Sequence, residues 1–317
     1  MTITEHISNA QSTLFSFELL PPLKGENLQT IFNAIDPLLE FAPAYINVTY
    51  HREEVVYHKG KSGAFLPKVL RRRPGTVGIA AAIQHRYNID VVPHVICGGF
   101  SKEDTEDALI DFDFLGINNL LAVRGDADKI TGRFEPNPAG HPHAVDLIKQ
   151  IVRMNNGHYN DENIESATPT KFCIGVAGYP EKHTEAPNMA NDLMYLKAKV
   201  DAGAEYIVTQ LFFDNKKYFS FVESCRKVGI TVPIIPGLKP ISVKEHMSLL
   251  PRVFNVDLPE DLVRELVICN DNKSARELGI EWTIQQAKEL KQAGVPSIHF
   301  YTMGKSDNIA RIARAVY

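Results

Sequence analysis

Closely spaced cysteines and long apolar runs are both lacking from this chain of 317 residues. The four cysteines, Cys97, Cys173, Cys225 and Cys269, include no Cys-x-x-Cys pair, which argues against a zinc ribbon, a thioredoxin motif or a disulfide framework. No apolar run approaches the roughly 20 residues that cross a bilayer, and the N-terminus has neither the basic nor the apolar region of a signal peptide. We therefore expect a protein of the reducing cytoplasm with no membrane partner.

An excess of basic charge is lacking as well. The formal net charge is −4, whereas a domain that binds nucleic acid is usually clearly basic, so we expect no nucleic-acid partner. The chain has no Gly-x-Gly-x-x-Gly, so a Rossmann dinucleotide site is unsupported. We predict no metal site either, because His141 and His143 have no carboxylate at helical spacing to join them.

Eight short apolar segments recur along the chain and alternate with stretches of helical periodicity. They lie near residues 14–19, 45–50, 91–97, 119–124, 172–178, 206–212, 232–238 and 297–302. Near-continuous apolar runs are typical of parallel strands covered on both faces. Four of the intervening helices are predicted to end in glycine just before a strand, at Gly116, Gly203, Gly229 and Gly294. Eight such units predict a (β/α)₈ barrel in one domain over residues 1–317, with a doubly wound open sheet as the alternative.

The first of these strands carries an acid in an apolar setting. Successive strand side chains face opposite sides, so Phe15, Phe17 and Leu19 share one face and Glu18 lies on the other. Two prolines then end the strand. A buried carboxylate without a partner is costly. Glu18 is therefore either an acid placed at the carboxyl end of a strand, where α/β folds keep their chemistry, or a structural carboxylate that caps the following turn.

Polar side chains also follow nearly every other predicted strand, and in a barrel these strand ends converge on one face. After the fourth strand come Arg124, Gly125 and Asp126. Glycine allows close backbone approach to a ligand, and arginine can hold a phosphate or carboxylate with two parallel hydrogen bonds. The alternative is an Arg124–Asp126 ion pair that closes a turn. The full set at the strand ends is Glu18, Thr49, Tyr50, Arg52, His94, Cys97, Arg124, Gly125, Asp126, Tyr179, Gln210, Gly237 and Tyr301.

A second polar group surrounds the start of a helix after the fifth strand. Tyr179 and His183 precede this predicted helix, which contains Asp192 and Lys199. The last two lie seven residues apart and so share a helix face. This arrangement suits a long ligand lying over the helix, whereas the alternative is a set of solvent-exposed charges.

In their order and spacing these motifs resemble the methylenetetrahydrofolate reductase family, the flavin-dependent enzymes that make methyltetrahydrofolate. The resemblance runs from Phe15 to about Lys305. It is carried by Phe-Ser-Phe-Glu-Leu-Leu-Pro-Pro, Val-Thr-Tyr, Pro-His-Val-Ile-Cys, Ala-Val-Arg-Gly-Asp, Gly-Tyr-Pro-Glu-Lys-His, Thr-Gln-Leu-Phe-Phe-Asp, Ile-Pro-Gly and His-Phe-Tyr-Thr. It implies a (β/α)₈ barrel that binds FAD without a Rossmann fingerprint. We expect the catalytic barrel alone, as in bacterial members.

The resemblance implies a role for each matching residue. Glu18 matches the general acid and Asp126 the aspartate beside the flavin ring, and these are the predicted catalytic residues. The residues predicted to hold FAD are Thr49, Tyr50, Arg52, His94, Arg124, Gly125, Asp126, Ala144, Tyr179, His183, Ala186, Asp192 and Lys199. Those predicted to contact folate or nicotinamide are Glu18, Thr49, Gln210, Tyr301 and Lys305. Lys305 stands where relatives commonly have arginine, and lysine cannot make the same forked contact.

The resemblance also implies an activity. NADH or NADPH would reduce FAD and leave, and methylenetetrahydrofolate would then take its place and be reduced, in a protein that forms homo-oligomers. Three other readings stay open: another flavin-binding barrel of the proline-dehydrogenase type, a Schiff-base aldolase, and a binding module without activity. A Schiff-base aldolase needs a lysine inside a strand, and Lys239, just past the seventh segment, is the nearest candidate.

Overall fold

A computed structural model describes residues 1–59, 63–127, 132–164 and 166–317. The strands in these ranges are β1 (Leu14–Leu19), β2 (Tyr45–Val48), β3 (Glu54–Lys59), β4 (Phe65–Leu70), β5 (Asp90–Ile96), β6 (Asn119–Val123), β7 (Cys173–Gly178), β8 (Tyr206–Thr209), β9 (Ile234–Ile235), β10 (Gly237–Leu238) and β11 (Ser297–Tyr301). The helices are α1 (Ile3–Asn9), α2 (Gln29–Ile35), α3 (Thr76–Tyr87), α4 (Lys102–Phe114), α5 (Ala144–Asn155), α6 (Met189–Asp201), α7 (Asn215–Lys227), α8 (His246–Phe254), α9 (Glu260–Ile268), α10 (Asn272–Gln292) and α11 (Asp307–Val316). A 3₁₀ helix follows α2 at Asp36–Phe41.

The strands form a parallel barrel with eight staves, where a stave is one strand position around the barrel. Its order is β1, β2, β5, β6, β7, β8, then β9 and β10 as one interrupted stave, and finally β11, which pairs with β1. The interruption falls at Pro236, which has no backbone N–H to donate. The ladder continues across it because the Pro236 carbonyl accepts from the His299 N–H at 2.9 Å. The predicted (β/α)₈ barrel is therefore confirmed, with its strands at the predicted positions.

The main core lies between the barrel and its surrounding helices. Phe15, Phe17 and Leu19 all point outward into this layer, as the alternation in β1 predicts. Glu18 consequently points the other way, into the barrel.

The four glycines predicted to end helices, at 116, 203, 229 and 294, all have positive φ.

A short N-terminal helix, α1, covers the bottom of the barrel and was not predicted from the sequence. Ile3 is fully buried among inward side chains that include Tyr45 and Tyr206. Its N–H donates to Asn119 Oδ1 at 2.8 Å, and Asn119 Nδ2 donates to the Met1 carbonyl at 2.9 Å. This end of the barrel is therefore filled, which leaves the opposite end for a ligand.

The long charged stretch between the second and third staves forms an antiparallel hairpin of β3 and β4. The sequence analysis noted its length without predicting strands there. Tyr57, Phe65 and Val69 are exposed on it. The hairpin leaves the barrel just after Tyr50, on the same end as the polar strand termini.

Two helix glycines provide a matched test of how tightly this fold is packed. A Cβ at Gly279 in α10 would lie 2.0 Å from the Ile241 carbonyl oxygen, whereas a Cβ at Gly78 in α3 would meet nothing within 4 Å. We expect Gly279→Ala to lower the free energy of unfolding by about 3 kcal/mol, because backbone must move. Gly78→Ala should raise it by about 0.5–1 kcal/mol. Denaturant titration measures both, and similar effects from the two variants would contradict this packing.

Candidate active site

A cavity of about 480 Å³ opens at the carboxyl ends of the barrel strands. We call it the mouth cavity. The predicted site residues that line it are Glu18, Thr49, Tyr50, His94, Arg124, Gly125, Asp126, Tyr179, His183, Gln210 and Tyr301. The structure thus brings together Glu18 and the Arg124–Asp126 segment, which are more than 100 residues apart in the chain. Convergence of these strand ends is what the barrel topology dictates.

Glu18 lies at the floor of the mouth cavity with 8% of its surface exposed. Its backbone carbonyl accepts from the Thr302 hydroxyl at 2.7 Å, which ties the end of β1 to the segment after β11. Its carboxylate Oε2 lies 3.9 Å from His94 Nε2 and 4.0 Å from His299 Nε2. Within the described ranges no hydrogen bond engages this carboxylate, so the turn-capping alternative has no support there.

The histidine beside Glu18 is held in its neutral form. Burial lowers the pKa of His94 to about 4, although the nearby Glu18 charge acts in the opposite direction. Asn47 Nδ2 lies 3.3 Å from His94 Nε2. A neutral His94 does not form a charged pair with the Glu18 carboxylate.

Arg124 forms an ion pair with Glu185 and not with Asp126. Its two terminal nitrogens donate to the two Glu185 oxygens at 2.6 and 2.8 Å. The guanidinium also lies 4.7 Å from the centre of the Phe134 ring. The hydrogen bonds to Glu185 raise the pKa of Arg124, and those to Arg124 lower the pKa of Glu185. The alternative of an Arg124–Asp126 pair closing the turn is therefore wrong.

Gly125 and Asp126 present backbone and a carboxylate at the rim of the mouth cavity. Gly125 has φ of +93°, and a Cβ there would lie 3.4 Å from the Ile96 side chain. Only glycine adopts this conformation freely, so the chain can turn here without a side chain between it and a ligand. Asp126 is exposed on the cavity wall.

The group around α6 is buried or half-buried and does not form the exposed set of charges that was the alternative. Asp192 is 8% exposed and accepts from the His183 N–H at 3.0 Å. Lys199 Nζ donates to the Ala177 carbonyl at 2.6 Å, and burial lowers its pKa to about 8. Burial raises the pKa of Asp192, and the neighbouring Lys199 partly offsets this.

The remaining predicted residues lie outside the lining of the mouth cavity. Arg52 packs beside Gly98, and Ala144 is the first residue of α5. The carbonyl of buried Ala186 accepts from Lys182 Nζ at 3.0 Å. Lys305 is exposed in the turn after β11. For these residues, and for Asp192 and Lys199, a ligand contact stays a prediction.

Sequence reasoning assigned no role in this site to several residues of the cavity wall, among them His299 and Lys239. His299 precedes Tyr301 by two positions on β11, so the strand alternation could have placed both on the inner face. Lys239 was noted only as a lysine past the seventh strand, yet it lines the mouth cavity and is 9% exposed. The signal was an ionisable residue directly after an apolar strand, much as Glu18 was singled out as an ionisable residue within one.

A parallel (β/α)₈ barrel, plugged at its N-terminal end and holding buried ionisable groups at its carboxyl end, defines this protein as a TIM-barrel protein with an enzyme-like site. The sequence model of the family described as methylenetetrahydrofolate reductase matches residues 2–316. The chain belongs to the methylenetetrahydrofolate reductase family.

Individual relatives agree with this assignment. The chain is 32% identical over 314 residues to a probable methylenetetrahydrofolate reductase (NADPH) of Caenorhabditis elegans, covering 98% of this chain and 43% of that protein. It is 31% identical over 293 residues to the 5,10-methylenetetrahydrofolate reductase of Escherichia coli K12, covering 92% and 86% respectively. The chain therefore spans less than half the length of some eukaryotic relatives and most of the bacterial one.

A solved structure shows the same fold at low sequence identity. It is an uncharacterized protein from Clostridium thermocellum described as binding two copies of 5-methyl-5,6,7,8-tetrahydrofolic acid, with a TM-score of 0.56 and 14% identity. The match covers 99% of this chain and 98% of that one.

None of the helices within the described ranges has the length and apolar character needed to span a membrane.

Proposed function

We propose that this protein reduces 5,10-methylenetetrahydrofolate to 5-methyltetrahydrofolate with FAD as cofactor and NADH or NADPH as the electron donor. The observation that carries the proposal is the position of Glu18, a buried carboxyl that faces into the same cavity as the Arg124–Asp126 segment. The family membership supplies the reaction. Relatives named for either nicotinamide cofactor occur, so the proposal covers both.

The residues at the mouth cavity fit FAD. Gly125 turns with positive φ, so backbone can approach the planar ring system. Arg124 offers a forked cation for the phosphates, with only a half-exposed Glu185 to displace or share. Tyr179 and His183 also line the cavity, with ring centres 4.8 Å apart in an edge-to-face arrangement, and the Asp192 carboxylate accepts from the His183 N–H. When bound, FAD supplies the hydride chemistry that no amino-acid side chain can provide.

The protein's own residues would supply the proton and the electrostatics. The methylene bridge of the substrate must open to a reactive cationic imine before it can be reduced, and opening requires a proton on the departing nitrogen. Glu18 would donate that proton from the cavity floor. Asp126 would stabilise the positive charge that develops on the folate. Gln210, which follows β8, and Tyr301 on β11 would orient the substrate ring.

Replacing Asp126 with Asn tests the electrostatic part of this scheme. We expect the rate of folate reduction to fall by about tenfold to a hundredfold, because a neutral amide cannot stabilise the developing cation. The rate of flavin reduction by NAD(P)H should change much less. Rapid-reaction absorbance at the flavin band measures the two half-reactions separately. An unchanged folate rate combined with weaker FAD binding would make Asp126 a binding residue only.

The function itself is tested by the visible spectrum and turnover of the purified protein. We expect a yellow protein, or an apoprotein that takes up FAD, with steady-state oxidation of NADH or NADPH that depends on methylenetetrahydrofolate. Flavin uptake without folate turnover would favour another flavin-binding barrel. A protein that binds no flavin would refute the proposal. We further propose that residues 1–317 act as one catalytic domain and that copies associate in the cytoplasm, which sedimentation and cell fractionation would test.

A further inference from the structure

Lys239 is a buried cation at the floor of the mouth cavity that the scheme above does not use. It directly follows β10 and is 9% exposed. Pro240 follows it, which favours an extended backbone at Lys239 and fixes the direction in which the chain leaves the barrel. Its side chain lines the cavity together with Glu18 and Tyr301.

The ammonium of Lys239 lacks a protein partner. Across residues 1–59, 63–127, 132–164 and 166–317, no hydrogen bond or ion pair to its Nζ occurs. A buried ammonium is normally paired or hydrogen-bonded, because desolvation strongly disfavours the charged form. No protein group in these ranges fills the hydrogen-bond requirement of Nζ, which is not a fully buried atom and so is open to a ligand or water in the cavity.

The groups around Lys239 do not remove this requirement. Glu18 on β1 attracts its charge without forming an ion pair, and burial lowers the pKa of Lys239. His246 at the start of α8 is neutral, since burial and the Lys239 charge lower its pKa to about 4, and its Nδ1 accepts from the Ser242 N–H at 3.3 Å. The other titratable groups of this floor are His94 on β5 and, on β11, His299 and Tyr301.

Barrel order places Lys239 two strand positions from Tyr179 and three from Arg124, two residues predicted to hold FAD. Arg124 and Tyr179 follow β6 and β7, whereas Gln210 follows β8 and Lys239 follows β10. Tyr301 on β11 and Glu18 on β1 then complete a continuous arc. Lys239 thus stands between Gln210 and Tyr301, two residues predicted to contact the substrate.

We propose that Lys239 Nζ binds the amide-type carbonyl oxygen of the substrate ring that lies over Glu18. This inference rests on the proposed function. An anionic group is a poor occupant there, because Glu18 would repel it, whereas a neutral carbonyl accepts from an ammonium without that cost. Both substrates carry such an oxygen, in the carboxamide of nicotinamide and in the lactam of the pterin. Lys239 therefore determines affinity on the substrate side and takes no part in holding FAD.

The test measures ligand binding to the FAD-loaded protein, read from the change in flavin absorbance on titration with 5-methyltetrahydrofolate. We expect Lys239→Met to weaken binding by about 10-fold to 100-fold, the loss typical of a hydrogen bond to a charged group. Lys239→Arg, which keeps a cationic donor, should restore most of the affinity. Lys216→Met, at an exposed lysine on α7, is the matched control and should bind as the wild type does.

Two further experiments identify which carbonyl Lys239 contacts and whether the contact is direct. Titration of the same variants with NAD⁺ separates the sources of the carbonyl: weaker folate binding assigns the pterin, weaker NAD⁺ binding the nicotinamide, and loss of both assigns a shared contact. Repeating Lys239→Met in a Glu18→Gln background shows whether Lys239 acts directly. A loss that persists there supports direct contact, and a loss that disappears means that Lys239 acts only through Glu18, which overturns the proposal.

A pH series adds a readout that a purely structural role would not affect. Wild-type affinity should fall as the pH rises and the ammonium loses its proton, whereas Lys239→Arg should stay flat over the same range because arginine remains charged. Wild-type-like affinity of Lys239→Met for both ligands would refute the inference while leaving the proposed function intact. A wild-type protein that binds neither FAD nor folate would refute both.

Discussion

Replacing Glu18 with Gln is expected to reduce folate turnover by about 10²–10⁴-fold, the range that a positioned general acid contributes. The amide keeps the size of the side chain but cannot donate the proton that opens the methylene bridge. FAD affinity and the rate of flavin reduction by NAD(P)H should remain near the wild-type values, because neither step needs this proton. Single-turnover mixing of the reduced protein with methylenetetrahydrofolate measures the affected step directly.

The environment of Glu18 makes this a clean substitution. No hydrogen bond engages its carboxylate within the described ranges, so the amide leaves no protein donor unpaired. The variant should therefore fold and melt as the wild type does. Glu277→Gln serves as the control, because this surface carboxylate pairs with Arg311 far from the cavity residues. Retained folate turnover in Glu18→Gln would show that Glu18 is not the general acid.

Replacing Arg124 with Met is expected to weaken FAD binding by about 10-fold to 100-fold, since a charge-assisted hydrogen bond is worth about 1.5–3 kcal/mol. The forked guanidinium is positioned by Glu185 and by the Phe134 ring, so its orientation is set before a ligand arrives. Arg124→Lys should recover only part of the affinity, because lysine lacks the second parallel donor. Fluorescence titration of the apoprotein gives the dissociation constants.

Two comparisons make the Arg124 result specific. Riboflavin, which lacks the phosphates, should bind wild type and variant alike if the guanidinium holds those phosphates. Arg314→Met removes a surface arginine paired with Glu40 and should leave FAD affinity unchanged. Equal losses of FAD and riboflavin affinity would instead place Arg124 against the ring system.

Sequence patterns predicted the barrel well because each strand appears in the sequence as its own short apolar run. The inward-facing acid of β1 follows from simple alternation between Phe17 and Leu19. The break at Pro236 did not obscure the seventh stave, since the apolar run continues on both sides of it. What local pattern cannot supply is pairing over long distance. Helix α1 is stable here because Ile3 and Asn119 meet across the bottom of the barrel.

The same limit explains what sequence reasoning missed at the site. The partner of Arg124 is Glu185, about 60 residues away, and the nearer Asp126 gave the wrong pairing. The hairpin of β3 and β4 packs little of its surface, so its strand residues carry no strong burial pattern. Lys239 becomes meaningful only once closure of the barrel places it on the same floor as Glu18.

The most direct test of the account is an anaerobic two-step experiment on the wild-type protein loaded with FAD. We expect NADH or NADPH to bleach the flavin band, and methylenetetrahydrofolate, added after the nicotinamide is removed, to restore it with release of one equivalent of 5-methyltetrahydrofolate. A flavin that stays reduced in the presence of methylenetetrahydrofolate would contradict the claim that this cavity carries out folate reduction.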